Sequence, residues 1–318
     1  MITLFIMFAA VVVIFAVWAA IVGESFINVN TIRSIGNMMV VTAFLACGSG
    51  FLMVSGNLDL SASAIGAFSS IMMGAALSYW GLPTPVAILL AIITGTTFGI
   101  LNAVLVYEFN FAPFIGTMAM ASVVRGIMMR VSVHPVTNSP VDVVFSNAAT
   151  RWIANGTILG VPAMLILAII VFIIYGLILA KSKFGMQVYL IGGNRMAANL
   201  CGISPRKMIY VLFANSAFLA SIAGIVFMGR QGAGRLEAMI GNQFTGLTAA
   251  ILGGVSFGGG SGNMAGVFIG ILLLNTFSMG TIVVRFNMYW AVILEGVLLL
   301  FALGLDYYNV RKANKKLQ

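Results

Sequence analysis

Long apolar segments separated by short polar connections run along almost the whole chain. The segments are continuous and about twenty residues long, which is the length that a helix needs to cross a bilayer. A transmembrane barrel would instead show shorter segments of alternating apolar and polar residues. We therefore predict an all-α, polytopic membrane protein with about ten transmembrane helices, some of them broken at membrane depth. The predicted spans are residues 2–22, 35–54, 62–79, 86–106, 113–132, 159–180, 208–228, 244–257, 263–284 and 288–305.

The composition agrees with this prediction and excludes several other classes. The chain is 61% hydrophobic and 7% charged, whereas soluble domains have about 25% charged residues. Two cysteines and one histidine, His134, provide neither a disulfide framework nor metal-ligand spacing. The segment from Met1 to Val22 has no charged start, so we expect a retained span rather than a cleaved signal peptide. In a membrane protein a net charge of +9 is explained first by basic residues in the cytoplasmic connections, and we expect no nucleic-acid partner.

A polar interruption at residues 54–68 separates the second and third predicted spans. It contains Asp59, together with the neutral hydrogen-bonding side chains of Asn57, Ser61 and Ser63, which suit polyhydroxylated or zwitterionic solutes. A carboxylate at membrane depth is costly, so an acid kept there indicates a functional site. Transporters build pathways from broken helices near the midplane. The pattern predicts a transporter, with these four residues along its translocation pathway or at the cap of a half-helix.

The role of Asp59 has two interpretations. Asp59 or Ser61 is a good N-cap for a half-helix beginning near Leu60, and direct contact with a solute or ion is the other role. The two are compatible, because a capped half-helix still presents free N–H groups to a ligand. A second intramembrane acid, Glu295, leaves open a proton-coupled secondary transporter, although neither acid has a basic partner within the predicted spans.

The placement of lysines predicts the orientation. With ten crossings, the lysines of a central connection and of the tail fall on one face: Lys181, Lys183, Lys207, Lys312, Lys315 and Lys316. The positive-inside rule makes that face, and both termini, cytoplasmic. The central connection covers about residues 181–207. Within it Arg195 to Leu200 is predicted to form a short helix, ended by Gly202 and Pro205, that is either a docking element or a loop.

The glycines favour helix packing rather than nucleotide binding. The chain contains no Gly-Lys pair and therefore no phosphate-binding loop of the usual kind, so a nucleotide that drives it must bind another chain. The glycine-rich run at 258–262 lacks that lysine as well. Gly262, Gly266 and Gly270 recur every four residues along the ninth predicted span, and Gly95 with Gly99 along the fourth. Such stripes let helices approach closely in lipid.

Five segments form a series that runs in order along the chain. They are Phe26 to Ile35, Ser55-Gly-Asn-Leu-Asp-Leu-Ser, Ala112-Pro-Phe-Ile-Gly-Thr-Met with Arg125-Gly126, Phe184 to Ile203, and Leu252 to Gly262. Together they resemble the permease subunits of bacterial ribose-type ABC importers, within the larger group that includes branched-chain amino-acid permeases. The resemblance covers nearly the whole chain, from about Phe26 to Asp306.

The resemblance implies one permease domain over residues 1–318, in the bacterial inner (plasma) membrane, with a cytoplasmic coupling loop at about 181–207. Residues in or beside its coupling helix would rest on an ATPase subunit: Gly193, Asn194, Arg195, Ala197, Ala198 and Gly202. A periplasmic solute-binding protein and a second permease, identical or related, would complete the importer within the lipid. Arg230 and Arg235 would pair with acids of the binding protein, or else contact lipid headgroups or solvent. No cofactor is expected on this chain, since ATP would bind the ATPase subunit.

The chain departs from the family pattern at three positions. Arg195 stands where an acid usually follows the asparagine of the coupling region, and Gln243-Phe244 replaces a Glu-Leu pair ahead of the eighth span. Glu295 lies near a position where a basic residue is common. These departures leave the predicted fold intact, but they leave open the salt-bridge partners and the identity of the solute.

The combined prediction is a subunit that moves a monosaccharide-like solute through rocking of helix bundles, driven by ATP in a partner, and that is not itself an enzyme. Nucleosides, small polyols and branched-chain amino acids are alternative solutes. An ion-coupled secondary transporter or a channel is the alternative mechanism, and it would depend on Asp59 or Glu295. A membrane-embedded enzyme is disfavoured because the sequence has no clustered acids and no pairing of a nucleophile with a base.

Overall fold

The structure is a computed structural model that describes the backbone of residues 2–315. This part of the chain contains thirteen α-helices, and they follow one another in this order: α1 (Ile2–Ile21), α2 (Val29–Val54), α3 (Ala62–Ser78), α4 (Thr84–Tyr107), α5 (Pro113–Val131), α6 (Ala148–Asn155), α7 (Ala163–Lys181), α8 (Lys183–Gly193), α9 (Arg195–Leu200), α10 (Pro205–Gln231), α11 (Asn242–Leu252), α12 (Met264–Val283) and α13 (Met288–Lys315). The side chains of Glu295, Lys312 and Lys315, and the whole of Lys316, lie outside the described residues.

Strands in the described residues are limited to two short antiparallel pairs. β1 (Val143–Val144) pairs with β4 (Ala233–Gly234), and β2 (Thr157–Ile158) pairs with β3 (Val161–Pro162). The first pair joins the connection after α5 to the end of α10, and the Asp142 carboxylate accepts a hydrogen bond from the Leu236 N–H at 2.9 Å. The all-α prediction is confirmed, and the strands only tie connections together.

Seven of the described helices are long and apolar enough to cross a membrane: α1, α2, α4, α5, α7, α10 and α12. Two shorter apolar helical segments occur as well, α3 and residues 292–301 within α13. The eighth predicted span, 244–257, is a helix only as far as Leu252. At about 1.5 Å per residue the eleven residues of α11 extend roughly 16 Å, half the thickness of a bilayer core. The polytopic membrane class is confirmed, while the count of ten spans stays a prediction.

α10 lies at the centre of the helix packing, against α2, α3 and α4. The small residues Gly95 and Gly99 allow this close approach, because a Cβ on Gly99 would lie 2.5 Å from the Phe213 carbonyl oxygen of α10. α2 and α3 are buried along most of their length, whereas α1 exposes most of its side chains. Apolar side chains on an exposed helix fit a lipid environment. The interior of the protein is therefore built around α2, α3 and α10.

Two interruptions divide helices inside this core. Residues 55–61, which we call the first break, join α2 to α3. Residues 253–263, which we call the glycine loop, join α11 to α12. The coupling loop (residues 181–207) contains α9, as predicted, and also the unpredicted helix α8. These three segments meet, and their meeting point defines the candidate functional site.

Candidate functional site

Asp59 is the centre of the first break. Its side chain is 0% exposed. Oδ1 accepts hydrogen bonds from the Ser61 N–H at 2.9 Å and from the Ser61 hydroxyl at 2.6 Å, and Oδ2 accepts one from the Ser216 hydroxyl of α10 at 3.0 Å. The carboxylate thus lies at the N-terminus of α3, where the helix dipole and hydroxyl donors favour a negative charge. Ser61 occupies the N-cap position of α3, but its own hydroxyl bonds to Asp59 and does not cap the helix.

Two polar residues from neighbouring helices complete the surroundings of the first break. The Asn102 amide of α4 donates to the Ser61 Oγ at 2.7 Å, and the Leu60 N–H donates to the Thr117 Oγ1 of α5 at 3.1 Å. None of Asn102, Thr117 and Ser216 was predicted from the sequence to belong to this site. A buried polar side chain in an apolar helix was the available signal, because such groups need a hydrogen-bond partner.

Asn57 and Ser63 connect the first break to two other segments. The Ser63 hydroxyl donates to the Gln243 Oε1 of α11 at 2.5 Å. The Arg195 Nη2 of α9 donates to the Asn57 Oδ1 at 2.6 Å. Asn57 is 1% exposed and Ser63 is 2% exposed. Asn57, Asp59 and Ser61 of the first break and Ser63 in the first turn of α3, the four residues predicted for the pathway, therefore lie inside the protein, and each has a defined hydrogen-bond partner. Their place along a translocation pathway stays a prediction.

The coupling loop folds as a compact unit on this site. The Asn194 side chain caps α9 by accepting the Ala197 N–H at 3.0 Å, and Gly202, with φ of +80°, ends the turn after the helix. Ala198 is buried and anchors α9, whereas Gly193 and Ala197 are exposed. The exposed large apolar side chains of α9 are Met196 and Leu200, at 77% and 84%. They lie four residues apart and therefore share one face of the helix.

Charge and burial are unusual on this loop. Burial lowers the pKa of the Arg195 guanidinium, and its recorded hydrogen-bond partner is the neutral amide of Asn57. Burial also raises the pKa of the Tyr189 phenol, and its hydroxyl donates to the Gly262 carbonyl at 2.6 Å. Arg195 as a whole stays exposed to solvent, but its Nη2 reaches the buried Asn57, and Tyr189 is half-buried.

The glycine loop packs by backbone against both other segments. The Gly260 N–H donates to the Val54 carbonyl at 2.8 Å, at the end of α2. A Cβ on Gly259 would lie 2.7 Å from the Gly56 Cα and 3.0 Å from the Gly192 carbonyl oxygen. These contacts occupy the backbone that a phosphate-binding loop would present to its ligand. The packing interpretation of these glycines is supported.

The predicted glycine stripe needs one correction. Gly266 and Gly270 lie in α12, where an added Cβ would meet the carbonyl oxygens of Gly253 and Ala249, so they bring α11 and α12 together. Gly262 precedes the helix and has φ of +141°. The reason is the Asn263 side chain, which accepts the Gly266 N–H at 2.7 Å and starts α12 after position 262.

The two predicted docking arginines lie at the end of α10 that is far from the coupling loop, with Arg230 in the last turn of the helix. Arg230 Nη1 donates to the Asn37 carbonyl at 2.5 Å. Arg235 is exposed, in the turn that follows β4. Of these two arginines, Arg235 is therefore the one whose guanidinium has no recorded partner among the described residues. Among the described residues, no three or more His, Cys, Asp or Glu side chains form a cluster able to hold a metal ion.

Comparisons with known proteins agree over most of the chain. The profile of the family described as "Branched-chain amino acid transport system / permease component" matches residues 31–303. The ribose import permease protein of Bacillus subtilis (strain 168) is 28% identical over 293 residues, which are 92% of this chain and 89% of that protein. The D-allose transport system permease protein of Escherichia coli (strain K12) is 30% identical over 301 residues, 94% of this chain and 90% of its own.

A third relative, the xylose transport system permease protein of Haemophilus influenzae, is 28% identical over 367 residues, with 97% of each chain covered. No solved structure is significantly similar to the chain. Permease subunits of this kind are inner-membrane transport proteins without a catalytic activity of their own, which fits the apolar helices described above. The match to the family profile covers most of the chain, and the protein therefore belongs to the permease-component family of branched-chain amino acid transport systems.

Proposed function

We propose that the chain is the membrane-spanning subunit of an ATP-driven importer for a monosaccharide-like solute. The relatives described above are named for ribose, allose and xylose. In this proposal a partner ATPase binds ATP, a periplasmic binding protein delivers the solute, and a second permease completes the pathway. Both termini and the coupling loop then face the cytoplasm, and the neutral polar groups of the first break brace the pathway.

The observation that carries the proposal is the surface of α9. Met196 and Leu200 are exposed on one face of a short helix, whereas Ala198 fixes the other face to the protein. Large apolar side chains exposed on a polar connection favour contact with a partner protein. The helix is also capped at both ends, by Asn194 and by Gly202. We therefore infer that the ATPase docks on Met196 and Leu200.

The opposite face supports the second partner. Arg235 is exposed, whereas Arg230 already donates to the Asn37 carbonyl. We therefore assign the contact with the binding protein to Arg235, and we assign Arg230 to holding α10 against α2. Removing an exposed charge of this kind changes mainly the association rate and its dependence on salt.

The main alternative mechanism is ion coupling through Asp59 or Glu295. It would need an accessible titrating carboxylate, but Asp59 is fully buried and both of its oxygens accept hydrogen bonds. The family description also names branched-chain amino acids, which keeps these solutes, together with nucleosides, as alternatives for the cargo. Competition of labelled ribose uptake by allose, xylose, uridine and leucine separates these classes.

The test of the ATPase partner is purification of the tagged chain from its native membrane, followed by mass spectrometry. We expect a stoichiometric ATPase, and we expect the double variant Met196→Glu with Leu200→Glu to lose it. Both positions are exposed, so these changes leave the fold intact. The matched control is Leu159→Glu, another fully exposed leucine, in the connection between β2 and β3. Purification of the wild-type chain without any ATPase would contradict the proposal.

A further inference from the structure

Arg195 occupies a position that is unfavourable for an arginine. It is the first residue of α9, directly after the Asn194 cap. The N-terminus of a helix carries a partial positive charge, which repels a cation. Arg195 therefore does not stabilise α9 through the helix dipole. Its guanidinium instead extends to the first break, where Nη2 donates to the Asn57 Oδ1 at 2.6 Å across 138 positions of sequence.

The Asn57 side chain is held in an orientation that lets its oxygen accept this hydrogen bond. Its own N–H donates to the Leu52 carbonyl at 3.0 Å, and its side-chain amide donates to the Ser55 Oγ at 2.9 Å. These two bonds orient the carboxamide, and its oxygen is left for Arg195. Within the described residues the ion pairs join Arg206 to Glu108 and Arg285 to Glu24, so Arg195 is matched to an amide. Hydrogen bonds to a charged donor are stronger than neutral ones.

Further hydrogen bonds and close backbone contacts around the glycine loop support the contact between Arg195 and Asn57. The Tyr189 hydroxyl of α8 donates to the Gly262 carbonyl, and the Gly260 N–H donates to the Val54 carbonyl. A Cβ on Gly192 would lie 2.6 Å from the Gly260 nitrogen. The coupling loop therefore rests on the glycine loop and on the end of α2, while Arg195 alone among these contacts reaches a side chain of the first break.

The first break in turn holds three helices. Asn57 is followed two residues later by Asp59, which binds Ser216 of α10 and Ser61 at the start of α3. Ser61 accepts the Asn102 amide of α4. A displacement of Asn57 is thus passed along two peptide units of backbone to Asp59, and from there through buried hydrogen bonds to α3, α4 and α10, because packed interiors transmit strain.

We propose that Arg195 is a positioning residue that ties α9 to the first break, so that movement of α9 moves the helices around Asp59. This inference rests on the proposed function, because the movement of α9 is supplied by the docked ATPase. Arg195 itself touches neither ATP nor solute. Without the tie, the ATPase still docks on Met196 and Leu200, but its movement is not transmitted.

The experiment compares Arg195→Ala and Arg195→Lys with the wild type in reconstituted vesicles. The matched control is Arg206→Gln, which removes an exposed positive charge from the same loop and breaks a surface pair with Glu108. The first readout is the ATP hydrolysed per labelled ribose imported. The second is hydrogen–deuterium exchange of residues 55–61 in the isolated chain in nanodiscs, which needs no ATPase.

Arg195→Ala is expected to retain the ATPase and to raise the ATP-to-solute ratio about ten-fold, as the loss of one charged hydrogen bond allows. It is also expected to speed exchange in residues 55–61. Arg195→Lys keeps a charged donor but lacks the planar guanidinium, and it is expected to lie between the wild type and Arg195→Ala in both readouts. Arg206→Gln is expected to match the wild type in both readouts. Asn57→Ala is expected to reproduce Arg195→Ala, and the double variant is expected to be no worse than either single variant.

An unchanged ratio together with unchanged exchange in Arg195→Ala would overturn the proposal. Loss of the bound ATPase in Arg195→Ala would also overturn it, because Arg195 would then be a docking contact. Failure of the proposed function would be visible separately, as a wild-type chain that binds no ATPase. In that case the exchange readout still decides whether Arg195 ties α9 to the first break.

Discussion

The first break and the glycine loop both interrupt the helices of the core, but they differ in how their backbone polar groups are paired. Both end a helix inside the packed core, and unpaired backbone groups there are costly. The first break uses side chains for several of them: Asp59 accepts the Ser61 N–H, Thr117 accepts the Leu60 N–H, and the Asn57 amide donates to the Ser55 carbonyl. The glycine loop relies mainly on its backbone, with positive φ at Gly254, Gly259, Gly260 and Gly262, and few side chains take part, such as the Tyr189 hydroxyl that donates to the Gly262 carbonyl. The first break can adjust by rotating side chains, whereas the glycine loop can pack closely only because its contacting residues are glycines.

The largest expected effect therefore comes from adding a side chain to the glycine loop. Gly259→Asn keeps a residue type that tolerates positive φ, but its Cβ would lie 2.7 Å from the Gly56 Cα. We expect a loss on the order of 3 kcal/mol in stability, as for overpacked cores. Gly254→Asn is the matched control, since its φ of +85° is nearly the same and nothing lies within 4 Å of its Cβ. Equal melting temperatures of the two variants in detergent would contradict the account.

The second effect is at Asp59, where side-chain chemistry carries the first break. Asp59→Ala leaves the Ser61 N–H and the Ser216 hydroxyl without an acceptor, and we expect it to cost about 2 kcal/mol. Asp59→Asn keeps an acceptor of the same shape, and it is expected to retain most of that stability. Thermal unfolding of both variants measures the difference. If Asp59→Ala were as stable as the wild type, the capping role would be wrong.

A smaller effect separates two serines of α10. Ser216→Ala removes the donor to the Asp59 Oδ2, with an expected cost of about 1 kcal/mol. Ser221→Ala is its control, because Ser221 is equally buried but bonds only to the Ala217 carbonyl of its own helix. Their melting temperatures are therefore expected to differ, with Ser221→Ala close to the wild type. The reverse order would mean that the Asp59 contact contributes nothing.

The smallest expected effect is at the contact between α3, which follows the first break, and α11, which precedes the glycine loop. Gln243→Ala removes the acceptor of the Ser63 hydroxyl, with an expected loss of about 0.5–1 kcal/mol. A double-mutant cycle with Ser63→Ala checks that the two side chains act together. The double variant is expected to be as stable as the less stable of the two single variants. Additive losses would show that Ser63 and Gln243 act independently.

The same comparison explains how much the sequence could predict. The first break was predictable, because Asp59, Asn57, Ser61 and Ser63 are polar residues in an apolar setting. The α9 helix was predictable as well, since Gly202 and Pro205 mark its end. These are local signals, carried by the residue types themselves.

What was missed depends on contacts between distant segments. A glycine has no side chain from which a contact could be predicted, so the close packing of Gly259 against Gly56 and Gly192 could not be foreseen. The bond from Arg195 to Asn57 joins positions 138 apart. α8 was missed because it contains Gly185, Gly192 and Gly193, which disfavour an isolated helix. In the structure Gly185 lies against the Leu179 carbonyl, where a larger residue would not fit.

In the proposed function a partner's ATP hydrolysis, and not ion coupling through Asp59, drives transport. Uptake of labelled ribose into vesicles containing the complex purified from native membranes tests it most directly, with the wild type and Asp59→Asn side by side. We predict uptake that requires ATP, ignores imposed proton and sodium gradients, and is largely kept in Asp59→Asn. Uptake in ATP-free vesicles that follows such a gradient and is abolished by Asp59→Asn would contradict the account.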